Sequence, residues 1–347
     1  MTQLSSTGRR GGVGWIGRPT AKDVASLAGV SAQTVSRVAN GADNVLPETR
    51  DRVLEVMARL GYTPNAAARV LRAGRSTSLG LVAHHISRTG EAKIIEAVCA
   101  TARERSYDVS LTVAPTGSSD DLNRAMLRSR QGVAGLVVLG LETAEIDQLR
   151  FPANMPVVVT DSRTLSLPTV GLDQAGGAQL AVEHLLGTGA HTVHLVAGPE
   201  NSIQSQQRQQ GWRRALQTAG RPIPEPLHGD WTPASGYQAG RHLAAQDGVR
   251  AVFVANDEMA SGVMRAMHEA GLRIPEDVAL VGFDDVSAEC LWPPLTSVRQ
   301  DFRAIGEHLV TLLLERLDTP SAQGAIPVSQ AIVVPPRLIV RASTARR

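Results

Sequence analysis

The chain has 347 residues, 43% of them hydrophobic and 20% charged, with a formal net charge of +2. At ~150 residues per domain this predicts two or three domains, and the composition excludes wholesale disorder. No window approaches the ~18 apolar residues of a membrane helix, no apolar export signal opens the chain, and Cys99 and Cys290 belong to no CxxC or Cys/His cluster. A cytoplasmic protein with no membrane contact, structural metal or cofactor is expected.

Charge is uneven along the chain. Residues 1–75 hold 11 of the 35 Lys and Arg but only 5 of the 33 Asp and Glu. A basic head on an acidic body suits an anionic partner for the head, although a solvated tail would carry the same charge. Residues 1–18 lack periodicity and are expected to be disordered. Thr20-Ala-Lys-Asp23 then reads as a helix start, an aspartate version of the capping box. A helix from Ala21 to Ala28 would bury Val24, Leu27 and Ala28 and end at Gly29. Ser31 would cap a second helix, Ala32 to about Ala39, with Val35 and Val38 inside. Pro47 opens a third, striped by Val53, Val56, Met57 and Leu60 and closed by Gly61. Two short helices around a tight turn make a helix-turn-helix. The outer face of the second helix carries Gln33, Thr34, Ser36 and Arg37. Such short hydrogen-bonding groups with one Arg suit base edges and phosphates in a major groove.

The stretch Thr20-Ala-Lys-Asp-Val-Ala-Ser-Leu-Ala-Gly-Val-Ser-Ala-Gln-Thr-Val-Ser-Arg-Val-Ala-Asn40 resembles the N-terminus of the lac repressor/Gal repressor family of bacterial transcription regulators, and Pro47 to Tyr62 continues the match. By that resemblance the DNA-binding residues are Thr20, Ser31, Ala32, Gln33, Thr34, Ser36, Arg37, Asn40, Asn44, Thr49 and Tyr62, followed by Asn65, Ala68 and Leu71 of a hinge helix. That hinge, Asn65 to Arg72, is shorter than the ~12–15 residues an isolated helix needs, so it is expected to fold only on DNA and beside a dimer mate. The resemblance places Leu71 as a wedge in the minor groove, with Arg69, Arg72 and Arg75 near phosphates.

From Leu79 onward strands and helices alternate. Strand-like runs are Leu79–Ala83, Val109–Val113, Gly135–Leu139, Val157–Thr160, Val193–Ala197, Ala251–Ala255 and Val278–Val281. Helical stretches include Ile94–Glu104, Ala178–Leu186 and Glu258–Ala270. This order argues for two doubly wound parallel-sheet lobes with a crevice at the carboxyl ends of the strands. The family resembles periplasmic binding proteins in this half, which implies three crossings between lobes, placed near 172, 300 and 330. The expected organisation is a basic leader (1–18), an all-α head (19–62), a hinge and linker (63–76) and a core (77–347). Its N-lobe would take 77–172 and 301–329, its C-lobe 173–300 and 330–340.

No phosphate loop, G-x-S-x-G or H-E-x-x-H motif occurs, and the pair His84-His85 has no partner at metal-ligand spacing. Polar residues at strand ends instead suggest binding: Asn256-Asp257, Asp284-Asp285, and Arg208, read as opening a helix before Trp212. Each has a bland alternative, with Asp257 as a helix cap, Asp285 as a turn cap and Trp212 as core. Asp, Asn, Gln and Arg together match the donors and acceptors of sugar hydroxyls, and an aromatic plate suits the apolar face of a pyranose.

The resemblance, closest here to the family's lactose-responsive branch, implies that Arg208, Asn256 and Asp284 hold sugar hydroxyls. It implies Trp231 and Phe302 as the apolar wall, Asp161 and Gln300 as bridges, and Glu258 at the ligand where relatives have glutamine. Ala32 replaces a larger side chain, so the operator is expected to differ; Leu139 replaces an amide and Ser87–Glu91 forms a more polar loop than its counterpart, and the resemblance puts these two with Glu258 at the border of the second-sugar or aglycone site. No heptad tail follows Arg341, so a homodimer is expected. The reading is a non-enzymatic repressor of double-stranded operator DNA, nucleoid-associated and released by a sugar, with a β-galactoside as first guess. A corepressor-type regulator, an exported sugar-binding protein and a sugar-converting enzyme are the alternatives.

Overall fold

The computed structural model describes residues 19–39, 44–62, 76–141, 145–161, 167–318 and 330–345. The expected leader, Asn40, and the hinge residues Asn65, Ala68 and Leu71 with Arg69, Arg72 and Arg75 lie outside them. The chain divides into two units, Met1–Arg75 and Ser76–Arg347.

In the first unit three helices, α1 (Ala21–Ala28), α2 (Ala32–Ala39) and α3 (Pro47–Leu60), enclose one small core. Thr20 and Asp23 form a reciprocal capping box at the start of α1, which satisfies two donors that a bare helix end would leave orphaned. Gly29 and Gly61 end α1 and α3 at φ 65° and 62°, a left-handed turn that costs glycine nothing. The core holds Val24, Ala25, Ala28, Val35, Val38, Val53, Val56 and Met57. Leu27 is a correction to the expected stripe. It is 53% exposed, because the buried face of this short helix runs through positions 24, 25 and 28.

The second unit contains two six-stranded sheets. The N-lobe sheet is built from β1 (Ser78–Ala83), β2 (Asp108–Val113), β3 (Leu136–Val138), β4 (Val157–Thr160), β5 (Thr169–Leu172) and β11 (Ala331–Val334), in the order β11-β5-β4-β3-β1-β2. The C-lobe sheet uses β6 (His194–Ala197), β7 (Leu227–His228), β8 (Ala251–Val254), β9 (Ala279–Asp284), β10 (Thr296–Arg299) and β12 (Arg337–Ile339), in the order β12-β10-β9-β8-β6-β7. All neighbours are parallel except β10 and β12. Central strands such as β8 are apolar and buried throughout, as a sheet covered on both faces requires.

Helices α4 (Thr89–Glu104), α5 (Ser119–Ser129) and α10 (Phe302–Asp318) belong to the N-lobe. Helices α6 (Gln174–Gly187), α7 (Ile203–Thr218), α8 (Pro233–Ala244) and α9 (Asp257–Glu269) belong to the C-lobe. Ile94 and Val98 of α4 share a core with Ile305 and Leu309 of α10. In the C-lobe, α8 and α9 touch backbone to backbone at Gly236 and Gly262, where an added Cβ would lie 2.1 and 2.0 Å from a carbonyl oxygen.

The chain changes sheet after β5, after β10 and after β11. The third change differs from the expected one. Residues 331–334 still pair with β5 in the N-lobe, so the crossing falls at Pro335-Pro336 and not near 330. These prolines have no N–H to continue the ladder. The C-lobe also reaches past 340: Ser343 Oγ donates to the Leu280 carbonyl at 2.6 Å, and Thr344 Oγ1 lies 2.8 Å from Thr296 Oγ1. Among the described residues no helix is long and apolar enough to cross a membrane.

Candidate nucleic-acid face and interlobe binding site

In the first unit α2 buries Val35 and Val38 and leaves Ala32, Gln33 and Arg37 exposed, with Thr34 and Ser36 at the edge of the core. Ser31 is occupied locally, since its Oγ accepts the Thr34 N–H at 3.1 Å and lies 2.9 Å from Thr34 Oγ1. That cap fixes the first turn of the helix and the direction in which its face projects. Thr20 is likewise held by Asp23, with both its N–H and its hydroxyl 2.7 Å from the carboxylate. Asn44 is exposed, and Thr49 and Tyr62 are half-buried.

The second unit holds a cavity between its lobes. Seven of the eight candidate effector residues line it: Arg208, Trp231, Asn256, Glu258, Asp284, Gln300 and Phe302. The eighth, Asp161, directly follows β4, where its N–H donates to the Val170 carbonyl, and is not among the lining residues. Arg88, Thr89 and Glu91, from the loop Ser87–Glu91 that the resemblance puts at the border of the second-sugar or aglycone site, also line the cavity, as do Gln174 and Gln204, which the sequence reading did not single out. Gln174 and Gln204 could have been suspected from their neighbours Asp173 and Ser202, which cap α6 and α7 and so place the first turns beside a strand end.

Arg208 is the hub. Ser202 caps α7, so Arg208 lies inside that helix and does not open it, a correction to the sequence reading. Its Nε donates to Gln174 Oε1 at 2.8 Å, one terminal nitrogen donates to the Ala255 carbonyl, and the other sits 3.3 Å from Asp284 Oδ1. The guanidinium lies 3.8 Å from the centre of the Phe283 ring and 5.4 Å from that of Trp231. Burial pushes its pKa down, and Asp284 and Asp257 oppose that. An arginine keeps its charge under such conditions, so the site contains a fixed cation with a preset fork of donors. Gln300 donates its amide to Asp284 and receives a weak contact from Gln174 at 3.4 Å.

Three backbone positions here are strained. Trp231 has φ 73°, Asp284 φ 99° and Asp285 φ 56°, in a region that side chains other than glycine rarely adopt and that costs about 1–3 kcal/mol each. The surroundings hold all three. Asn256 Nδ2 donates to the Trp231 carbonyl at 3.1 Å. The indole packs against Gly198, where an added Cβ would come within 2.3 Å of the ring. Asp285, next to Asp284, is locked between Arg299 at 2.6 Å and Arg341 at 2.7 Å. It is thus a buried structural anion and more than a turn cap. Phe302 closes the opposite wall from the start of α10, facing Gly90.

Asp257 differs from its expected role. Asn256 is the cap of α9, accepting the Met259 N–H at 2.9 Å. Asp257 turns inward, where Ser297 Oγ donates to it at 2.6 Å and the Val286 N–H at 3.0 Å. Burial first, then the charge of Asp284, raises its pKa to about 7. Trp212 is core, fully buried, with its N–H donating to the Val193 carbonyl at 2.8 Å.

Behind the N-lobe wall, His84 is pushed down to about 4 by burial, then by His85 and Arg88, and is neutral at pH 7. Among the described residues no group of three His, Cys, Asp or Glu is placed to hold a metal ion. A half-buried set of forked donors and carboxylate acceptors beside two aromatic walls suits reversible binding of a polyhydroxylated ring.

The sequence matches the lacI family of bacterial regulatory proteins over residues 20–65 and a periplasmic binding protein-like domain over residues 182–344. The HTH-type transcriptional regulator CelR of Thermobifida fusca is 36% identical over 342 residues, covering 94% of this chain and 98% of that protein. The lactose operon repressor of Escherichia coli (strain K12) is 34% identical over 320 residues, covering 89% and 88%. The lac repressor dimer bound to operator and the anti-inducer ONPF superposes with a TM-score of 0.78 at 31% identity, over 95% of this chain and 100% of that one. The complex of CelR with cellobiose gives 0.67 at 32% identity, over 94% and 100%.

Proposed function

The chain belongs to the lacI family of bacterial regulatory proteins, and from that membership we propose that it is a DNA-binding transcriptional repressor whose hold on its operator is lowered by a sugar bound between the lobes. It works as a homodimer. In each head Ala32, Gln33, Thr34, Ser36 and Arg37 face base edges, while Thr20, Ser31, Asn40, Asn44, Thr49 and Tyr62 set the register on the phosphates. Asn65, Ala68 and Leu71 form the hinge that enters the minor groove, and the partner subunit supplies the second half-site reader.

The sugar meets Arg208, Asn256, Asp284 and Gln300 through its hydroxyls and lies against Trp231 and Phe302, with Glu258 completing the set. The observation that carries this reading is the Arg208, Asp284, Gln300 and Gln174 network beside Trp231 in the cavity. Its donors and acceptors hold one another in place, and such preorganisation lowers the ordering cost of binding. The sugar weakens DNA binding only to the extent that it prefers the lobe arrangement in which the hinges separate.

The test is fluorescence anisotropy of a duplex selected from random sequence by the full chain, at one fixed salt concentration, with and without glucose, galactose, cellobiose and lactose. At least one sugar is expected to lower the affinity. Affinity indifferent to all of them, together with no calorimetric sugar binding, removes the switch. Tighter DNA binding makes the protein a corepressor-type regulator.

A further inference from the structure

The helical head itself carries no excess positive charge. Residues 19–62 hold five basic and five acidic residues. Helix α1 has Lys22 beside Asp23, and α3 sets Arg50, Arg52 and Arg59 against Glu48, Asp51 and Glu55. Helix α2, the candidate reading helix, bears a single charge, the exposed Arg37. Binding to a duplex draws its sequence-independent affinity from cations that displace condensed counterions at the phosphates, and a neutral module supplies little of that. The whole positive excess of residues 1–75 therefore flanks the head. Three arginines stand in the hinge region already assigned. The other three, Arg9, Arg10 and Arg18, stand in residues 1–18, where no Asp or Glu occurs. The first acidic residue of the chain is Asp23, and its carboxylate is already occupied by the N–H and hydroxyl of Thr20, each at 2.7 Å. Arg18 precedes Thr20 by two residues, so this run of positive charge joins the head at the start of α1, the helix that crosses the sugar-phosphate backbone in a helix-turn-helix. Eighteen residues reach at most roughly 60 Å from there, far enough to meet several phosphates spaced about 3.4 Å apart along each strand.

We propose that residues 1–18 act as a DNA-backbone arm, in which Arg9, Arg10 and Arg18 neutralise phosphates beside the site that the head reads. The arm adds affinity and no base preference, because phosphate contacts carry no sequence information directly. The division of labour is then plain: Gln33, Thr34, Ser36 and Arg37 discriminate between bases, and the flanking arginines supply the electrostatic hold that the neutral head lacks. The proposal rests on the operator reading above and adds a contact that a merely solvated basic tail would not make.

The test is the salt dependence of duplex binding, read by anisotropy between about 50 and 200 mM salt. The full chain is compared with a variant carrying Arg9→Ser, Arg10→Ser and Arg18→Ser together. A charge-matched control carries Arg213→Ser, Arg214→Ser and Arg221→Ser on the exposed surface of the C-lobe. At about 0.9 counterions per phosphate, three lost contacts lower the slope of log affinity against log salt by about 2.7 for one bound head and about 5 for two. The arm variant is expected to show that drop, and to weaken a scrambled duplex by the same factor as the selected one. The control should keep the parent slope, and urea midpoints should match the parent in both. A drop of less than about two, or an equal drop in the control, overturns the proposal and leaves the operator reading standing. A loss confined to the selected duplex also overturns it, since the arm would then be reading bases. A full chain that binds its selected duplex no better than the scrambled one defeats the operator reading as well.

Discussion

Replacing Arg208 by Ala probes the hub of the cavity. The guanidinium is 5% exposed, stacks 3.8 Å above Phe283 and pairs with Asp284 at 3.3 Å. Removing one partner of a buried pair costs about 3–5 kcal/mol, because the other charge is left uncompensated. Asp284 keeps 17% side-chain exposure and can regain some water, so the loss belongs near the lower end, about 3 kcal/mol. That is a large share of the roughly 5–15 kcal/mol that holds a domain together, yet small enough for the variant to fold. Sugar affinity should fall by at least tenfold, since a charged donor is worth about 1.5–3 kcal/mol. Urea unfolding followed by circular dichroism reads the first quantity, and calorimetric titration the second. Asp284→Asn in the Arg208→Ala background should restore part of the stability and none of the sugar binding. Arg208→Lys should fall between parent and Ala, because it keeps the charge and loses the fork. An Arg208→Ala protein within about 0.5 kcal/mol of the parent would refute the reasoning, since that is the scatter of substitutions that touch no such feature.

Three further expectations use other parts of the molecule. Gly198→Ala places a methyl 2.3 Å from the Trp231 ring, so it should cost roughly 1–3 kcal/mol and weaken sugar binding by displacing the indole; urea midpoints and titration check both. Asp257 has its pKa raised to about 7 in the fold, so the native state binds its proton more tightly than the unfolded chain does. Its contribution to stability is complete in acid, below the ordinary aspartate pKa, and is lost as pH climbs to about 7. Unfolding midpoints between pH 4.5 and pH 8 should show that decline, and Asp257→Asn should flatten it. Leu71→Ser should weaken operator binding in anisotropy while calorimetric sugar affinity stays unchanged.

The head was legible because its signals are local. Thr20 with Asp23, and the two glycines at positive φ, fix the ends of helices too short to declare themselves by periodicity alone. Leu27 was misplaced because an eight-residue helix offers two overlapping stripes and only packing chooses between them. In the core, the long buried strands were readable as apolar runs. Leu227–His228, Thr296–Arg299 and Arg337–Ile339 are too short to show a period of two, and their pairing is set by distant partners. The third lobe crossing was misjudged for that reason, although Pro335-Pro336 marks it. At the site, residues carried by a family pattern came together around Arg208. The family pattern also pointed to Arg88 and Thr89 through the loop Ser87–Glu91, whereas Gln174 and Gln204 have only a neighbouring helix cap to mark them, and a polar residue in a helix's first turn is more often an ordinary solvated one. Only the fold brings Thr89 of one lobe to Glu258 of the other.

The most direct test of the central claim measures sugar affinity twice, once on the free protein and once on the protein saturated with its selected operator duplex. Coupling between binding sites is reciprocal. The account therefore predicts that operator weakens sugar binding by the same factor by which sugar weakens operator binding, about 5–150-fold for a coupling of ordinary size. Equal sugar affinity in the two states would contradict it.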